Sequence, residues 1–183
     1  MENSSPIKEI LYNEIRKIPK KEIQKLQNED YFRLITSLFE NSESKISNIK
    51  GKTSEKLGIL SESLSHYIFT EMLIPSQRKI VYKDIEIDII IPNLNVLKNT
   101  PDNAIIIYFA KSNDINKIQK KIDELQSIQK NTGNIWIVLH ENLSLPCKIY
   151  VVNQNDNSFS DLFNDAKHFV TSKNLDKLKI LKT

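Results

Sequence analysis

Two short apolar segments in the middle of the chain are rich in isoleucine and are separated by a polar loop. The first, residues 85–92, reads IEIDIIIP, and the second, residues 104–112, reads AIIIYFAKS. Their length and their β-branched side chains predict buried strands rather than helices. Similar segments at residues 78–84, 134–140 and 148–152 predict three further strands.

Helical patterns lie before, between and after these strands. The pair Ser5-Pro6 predicts the start of a first helix, because proline is favoured at the first helical position. Two more apolar patterns follow, and residues 41–53 are polar, which is typical of a linker. Apolar residues at helical spacing also predict a helix over residues 113–130 and another that begins near Ser160.

The helix predicted for residues 54–73 is apolar on two faces. One stripe contains Leu57, Leu60, Leu64 and Ile68, and the other contains Ile59, Phe69 and Leu73. Since such a helix needs two packing partners, we expect it to lie between the N-terminal helices and the sheet. Glu62 and His66 project from the second face, one turn apart.

The order of elements is helices, three strands, a helix, two strands and a last helix. This order predicts an α/β fold in which helices cover both faces of a mixed sheet. The 183 residues suffice for one sizeable domain. We expect residues 1–52 to form an N-terminal helical extension and linker, and residues 53–183 to form the α/β domain.

Composition narrows the function only slightly. The chain is 39% hydrophobic and 27% charged, without an apolar run of membrane-spanning length, and Cys147 is its single cysteine. These features exclude a disulfide framework and a cysteine-based zinc site, and together with the polar N-terminus they predict a cytoplasmic protein. The net charge of +3 leaves nucleic acid, a second copy of the chain or another protein open as partners, and no membrane partner is expected.

Three charged residues lie within the apolar strands. Glu86 and Asp88 belong to the first isoleucine-rich strand, and Lys111 ends the second. Charges at such positions are costly to bury unless they pair with one another or bind a metal. Asp88 and Lys111 therefore indicate either a buried ion pair or a metal site. Glu86 is expected on the same face as Asp88, because side chains alternate along a strand.

The chain resembles the PD-(D/E)XK nuclease superfamily, and within it the branch of Holliday-junction-resolvase-like endonucleases. The segment GILSESLSHYIF is similar to the first helix of that family, with Gly58 before Glu62. The segment EID is similar to its acidic strand, and FAK, which ends in Lys111, stands in the place of its (D/E)-x-K element. The resemblance covers about residues 53–152. It implies a restriction-endonuclease-like mixed sheet flanked by helices, with an N-terminal helical extension.

The resemblance also implies a site. Glu62, Asp88 and Lys111 would be its catalytic residues, and Asp88 and Glu62 would bind Mg²⁺, with Glu86 as a substitute ligand. The metal would activate a water and stabilise the charge on the phosphate, while the lysine would orient the water. The chain departs from the family at Phe109, which stands where the second acidic ligand is expected.

Three functions follow from this departure. The first is a nuclease-like domain whose degenerate active site has little or no activity and which binds nucleic acid. The second is an active Mg²⁺-dependent DNA endonuclease in which Glu62, Glu86 or His66 compensates for Phe109. The third is a structural or assembly subunit that uses the N-terminal helices as its interface. Phe109 favours the first and third functions over the second, and we expect little or no DNA cleavage.

Overall fold

The N-terminal part of the chain is helical. The computed structural model describes residues 5–25, 31–152 and 158–175. Its first helices are α1 (Pro6–Arg16), α2 (Lys20–Lys25), α3 (Tyr31–Ile46) and α4 (Thr53–Glu71). Helix α1 begins at the predicted proline. Helix α3 continues into the segment that was expected to be a linker, so the connection to α4 is shorter than the sequence predicted.

In the described part of the chain, five strands follow these helices and form one sheet. They are β1 (Gln77–Tyr82), β2 (Ile85–Ile91), β3 (Ile105–Phe109), β4 (Ile135–Leu139) and β5 (Lys148–Val151). The order across the sheet is β1-β2-β3-β4-β5. The pairs β1–β2 and β2–β3 are antiparallel, whereas β3–β4 and β4–β5 are parallel. The predicted mixed sheet is confirmed, and β2 lies between β1 and β3.

Within the ranges given above, three further α-helices connect or follow the strands, besides two short 3-10 helices. They are α5 (Leu94–Asn99), α6 (Ile115–Ile128) and α7 (Ser158–Ser172). The sequence did not predict α5, because the segment between β2 and β3 reads as a polar loop. Its start is fixed by Asn93, whose side chain accepts a hydrogen bond from the backbone N–H of Val96 at 3.0 Å. Leu97 is the buried residue of this helix.

Two apolar clusters cover the two faces of the sheet. On the first face, residues of α1, α3, α4 and α7 pack with Ile89, Ile107 and Phe109 of the strands. On the second face, residues of α5 and α6 pack with Ile90 and Ile106. Helix α4 contacts α1 and α3 as well as β3 and β4, so its predicted position between two layers is confirmed. The domain boundary at residue 52 stays a prediction.

The alternation of side chains changes phase in the middle of β2. Ile87 packs in the cluster on the α6 face, but Ile89, two residues further on, packs in the cluster on the α4 face. Asp88 lies between them. On the neighbouring strand β1, Lys79 has a φ of 51°, in the left-handed region. A regular period of two therefore does not describe the sheet at Asp88.

Within the described ranges, no helix combines the length and the apolar character needed to cross a membrane.

Candidate functional site

The candidate site lies where β2 and β3 separate. The ladder between these strands pairs Ile91 with Ile105, and its last pair is Ile89 with Ile107. Just beyond that pair, the Oδ2 atom of Asp88 accepts a hydrogen bond from the backbone N–H of Phe109 at 2.9 Å. The carboxylate thus satisfies an amide that the ladder leaves free, which fixes its position at the end of the paired region.

Helix α4 passes very close to the end of β3, and Gly58 makes this approach feasible. A Cβ atom at Gly58 would lie 2.7 Å from the backbone O of Ala110 and 2.9 Å from Cγ of Lys111. Such distances are too short for any other residue. Glu62 lies one helical turn after Gly58, and it is thereby brought to the side of Lys111.

Four charged side chains meet at this point. Lys111 Nζ lies 3.0 Å from Oε2 of Glu62 and 3.2 Å from Oδ1 of Asp88. Arg78 Nη2 lies 3.2 Å from the other carboxylate oxygen of Glu62, Oε1. We call Glu62, Arg78, Asp88 and Lys111 the four-charge cluster. The structure brings the three predicted catalytic residues together and adds an arginine that the sequence did not single out.

The two acids are more deeply buried than the two bases. The side chains of Glu62 and Asp88 are 5% and 8% exposed, whereas those of Arg78 and Lys111 are 22% and 37% exposed. The formal charges of the cluster sum to zero. Buried carboxylates are stable in a protein when cations and hydrogen-bond donors compensate them, and this arrangement provides both.

Burial and pairing act in opposite directions on the ionisable groups. Burial raises the pKa of Asp88, and the positive charge of Lys111 and the amide of Phe109 offset only part of that effect. Burial alone would lower the pKa of Lys111, but the carboxylates of Asp88 and Glu62 outweigh it and raise that pKa overall. Lys111 is therefore a cation throughout the neutral range.

Two residues of the predicted site lie outside the cluster. Glu86 is exposed at the start of β2 and takes no part in the ion pairs around Asp88. Phe109 is completely buried in the apolar cluster on the α4 face. Its side chain serves the core and not the site.

Two histidines lie near the cluster. His66 on α4 is half-buried, and its pKa is lowered by burial and by the charges of Arg78 and Lys8, against the opposing effect of Glu62. His140 Nε2 lies 3.0 Å from the backbone O of Ala110, to which the tautomer protonated at Nε2 donates a hydrogen bond. His140 therefore anchors the backbone just before Lys111.

A second group of residues, which the sequence did not indicate, borders the site on the α6 face. Burial raises the pKa of Tyr108, and the negative charges of Asp88 and of Glu124 on α6 raise this pKa further. The positive charge of Lys111 lowers it, but does not cancel the increase. Both carboxylates thus act on Tyr108 in the same direction as burial. Tyr108 directly precedes Phe109 in β3 and so points to the opposite face.

The residues in the cluster do not fit a divalent metal ion in this arrangement. Mg²⁺ requires hard oxygen ligands in a nearly octahedral geometry. One oxygen of Asp88 already binds an amide and the other binds Lys111, while each oxygen of Glu62 faces a cation. Among the residues that the structure describes, no three histidine, cysteine, aspartate or glutamate side chains converge so that they could hold a metal.

Comparisons with known proteins give one structural likeness. The sequence matches no protein family and no curated protein. The fold is similar to that of the restriction endonuclease PspGI in a complex with its substrate DNA, with a TM-score of 0.65 and 15% sequence identity. The similarity covers 93% of this chain and 95% of that one.

This likeness identifies the fold as restriction-endonuclease-like, which confirms the predicted fold class. It also extends well beyond residues 53–152, the region that carries the sequence resemblance. The N-terminal helices thus contribute to the similarity. At this level of identity the comparison shows the fold alone.

Proposed function

We propose that this chain is a nuclease-superfamily domain that binds DNA and cleaves it weakly or not at all. The observation that carries the proposal is the convergence of Glu62, Asp88 and Lys111 at the point where β2 and β3 separate. Together with the sequence resemblance, it supports the assignment of the chain to the Holliday-junction-resolvase-like branch, with Phe109 in place of the second acid.

The basic side chains of the cluster support binding to DNA. Lys111 is more than a third exposed and can offer a point charge to a phosphate, and Arg78 lies on the other side of Glu62. Phosphate contacts of this kind supply most of the affinity of non-specific DNA binding. The structure of PspGI that the chain resembles is itself a DNA complex.

The acidic side chains support weak cleavage. A metal-dependent nuclease needs carboxylate oxygens that are free to bind the ion, whereas each carboxylate of the cluster is bound by cations or by an amide. The apolar ring of Phe109 supplies no further oxygen.

Fluorescence anisotropy with labelled duplex DNA in EDTA tests the binding. We expect a dissociation constant of about 1–100 μM that weakens steeply with salt. Lys111→Gln should weaken binding and reduce the salt slope by about one. Lys120→Gln makes the same change of charge on the exposed side of α6 and should bind like the wild type.

The cleavage half of the proposal is tested with duplex, single-stranded and branched DNA in Mg²⁺ or Mn²⁺. We expect no more product than in EDTA. No DNA binding at low salt would contradict the first half of the proposal. Robust wild-type cleavage that disappears in Asp88→Asn would contradict the second half.

One observation favours an active Mg²⁺-dependent endonuclease as the second candidate. Glu124 is a carboxylate of α6, the helix that packs on the same face of the sheet as Tyr108, and its charge and that of Asp88 both raise the pKa of Tyr108. Glu124 is 40% exposed and pairs with Lys121 at 3.4 Å. If the wild type cleaves DNA, loss of cleavage in Glu124→Gln but not in Asp123→Asn would assign the missing acidic role to Glu124.

A further inference from the structure

We propose that Arg78 is a built-in counter-ion of the four-charge cluster. Its guanidinium occupies the position beside Glu62 that a divalent metal ion would otherwise take. This inference deepens the proposed function, on which it rests, because it names the residue that keeps the site inactive. It is independent of Phe109, whose side chain is directed into the core.

Both carboxylate oxygens of Glu62 are paired with cations. Lys111 takes one oxygen of this carboxylate at 3.0 Å, and Arg78 takes the other at 3.2 Å. Lys111 also pairs with Asp88, so it compensates both acids at once. Without Arg78 the cluster would hold two carboxylates and one ammonium, a net charge of −1. Arg78 is the group that brings the cluster to neutrality.

The backbone of β1 is irregular between Arg78 and Ile80. Arg78 contacts Glu62 of α4, whereas Ile80, two residues further along the strand, packs against the cluster on the opposite face. Regular alternation would put both side chains on one face. The change coincides with the φ of 51° at Lys79, a left-handed conformation that is unfavourable for a residue with a Cβ atom. A costly backbone conformation therefore accompanies the turn of Arg78 towards Glu62.

The chemistry of arginine makes this counter-ion permanent. A guanidinium stays charged at every physiological pH and cannot be neutralised by its surroundings. The Nε atom of Arg78 is buried and has no hydrogen-bond partner among the described residues, so the side chain is held by its pair with Glu62 at Nη2. A divalent ion that approached Glu62 would meet this fixed charge at short range, where repulsion in a partly buried site is strong.

Titration with Mn²⁺ alone, without DNA, tests the proposal by calorimetry or by the electron paramagnetic resonance of the free ion. We expect Arg78→Gln to bind Mn²⁺ at least tenfold more tightly than the wild type. Arg33→Gln is the matched control, because it removes the same charge from an exposed position on α3, and it should bind like the wild type. The double variant Arg78→Gln/Asp88→Asn should lose the gain, which would place the ion in this cluster.

A folded Arg78→Gln chain with wild-type Mn²⁺ affinity would overturn the proposal. If that variant does not fold, Arg78→Met, which keeps the apolar stem, decides by the same comparison. The wild type alone also decides if neither Arg78 variant folds. The proposal is overturned if the wild type binds Mn²⁺ saturably at micromolar concentration and Asp88→Asn does not. The outcome is separate from the DNA-binding test, which is made in EDTA, so either proposal can fail alone.

Discussion

The carboxylate of Asp88 accepts a hydrogen bond from the backbone amide of Phe109, with Oδ2 2.9 Å from the nitrogen. Phe109, which the sequence resemblance aligns with an acidic position, is thus bound through its main chain to Asp88. Because the bond uses only the backbone, it does not depend on which side chain occupies position 109. That side chain is free to serve the core, and it does so.

Introducing an acid at position 109 should therefore damage the fold rather than complete a metal site. Phe109 is fully buried in the cluster shared by α4 and the sheet. Phe109→Glu removes its apolar contacts and buries a carboxylate without a partner, so we expect the free energy of unfolding to fall by more than about 3 kcal/mol. Urea denaturation measures this loss.

The conservative variant Phe109→Leu separates the two causes. It keeps an apolar side chain and should cost only about 1–2 kcal/mol. A Phe109→Glu chain as stable as Phe109→Leu, and with tighter Mn²⁺ binding than the wild type, would show that the side chain can leave the core and reach Asp88.

Replacing Asp88 by asparagine should stabilise the protein at neutral pH. Burial raises the pKa of Asp88 above its ordinary value of 3.8. The contribution of this group to stability is therefore complete below that value and is lost as the pH rises through the folded-state pKa. Asparagine does not ionise and can still accept the amide of Phe109. We expect a gain of about 1 kcal/mol at pH 7, or about 2–4 °C in melting temperature.

Thermal melting of both chains from pH 4 to pH 8 checks this expectation. The advantage of Asp88→Asn should grow with pH across the range in which Asp88 ionises. An asparagine variant that is less stable than the wild type at pH 7 would show that the pair with Lys111 outweighs the cost of burying the charge.

Gly58 should be intolerant of substitution although it lies in a helix. Alanine favours helices over glycine by about 1 kcal/mol, but a Cβ at this position would lie 2.7 Å from the backbone O of Ala110, which cannot move without displacing β3. We expect Gly58→Ala to destabilise the fold by about 1–3 kcal/mol, measured by urea denaturation.

Gly133→Ala is the control for this prediction. Its new Cβ would lie 3.2 Å from the side-chain oxygen of Asn131, which can move by a few tenths of an ångström. Its effect should stay within about 0.5 kcal/mol. Equal effects of the two substitutions would mean that α4 can withdraw from β3 at little cost.

The parts of the structure that the sequence predicts are those that depend on local patterns. The isoleucine-rich segments are strands because their apolar side chains are β-branched and short runs of them are buried. The two apolar stripes of α4 predicted its place between two layers. Lys111 reaches Glu62 on the face that simple alternation from Phe109 indicates.

The parts that the sequence did not predict depend on contacts between distant segments. Arg78 lies 16 residues from Glu62 along the chain, and only the tertiary fold brings the two side chains together. The change of face between Ile87 and Ile89 is not predicted by the sequence either, and on the neighbouring strand it is accompanied by the left-handed backbone conformation of Lys79. Helix α5 was not predicted because it follows the polar residue Asn93 and has polar residues among its own. Leu97 is its single buried residue, which is too little for an apolar pattern.

His66 should make the stability of the fold sensitive to mild acid. Its pKa is lowered from 6.5 by burial, by Arg78 and by Lys8, and Glu62 offsets part of this. A depressed pKa means that the unfolded chain takes up the proton first. The contribution of His66 is therefore complete above pH 6.5 and is lost as the pH falls through the folded-state value.

We expect the free energy of unfolding to decline between pH 7 and pH 5 with a slope below the roughly 1.4 kcal/mol per pH unit of one fully coupled proton. The slope is smaller because the ring is half-buried and solvent screens its charge. His66→Gln should flatten the decline, whereas His168→Gln, at an exposed position on α7, should leave it unchanged. Urea denaturation at a series of pH values makes the measurement. If the free energy of unfolding declines identically in the wild type and in His66→Gln, the acid sensitivity belongs to other groups. Glu62 would then compensate the charge of a protonated His66 beside Arg78.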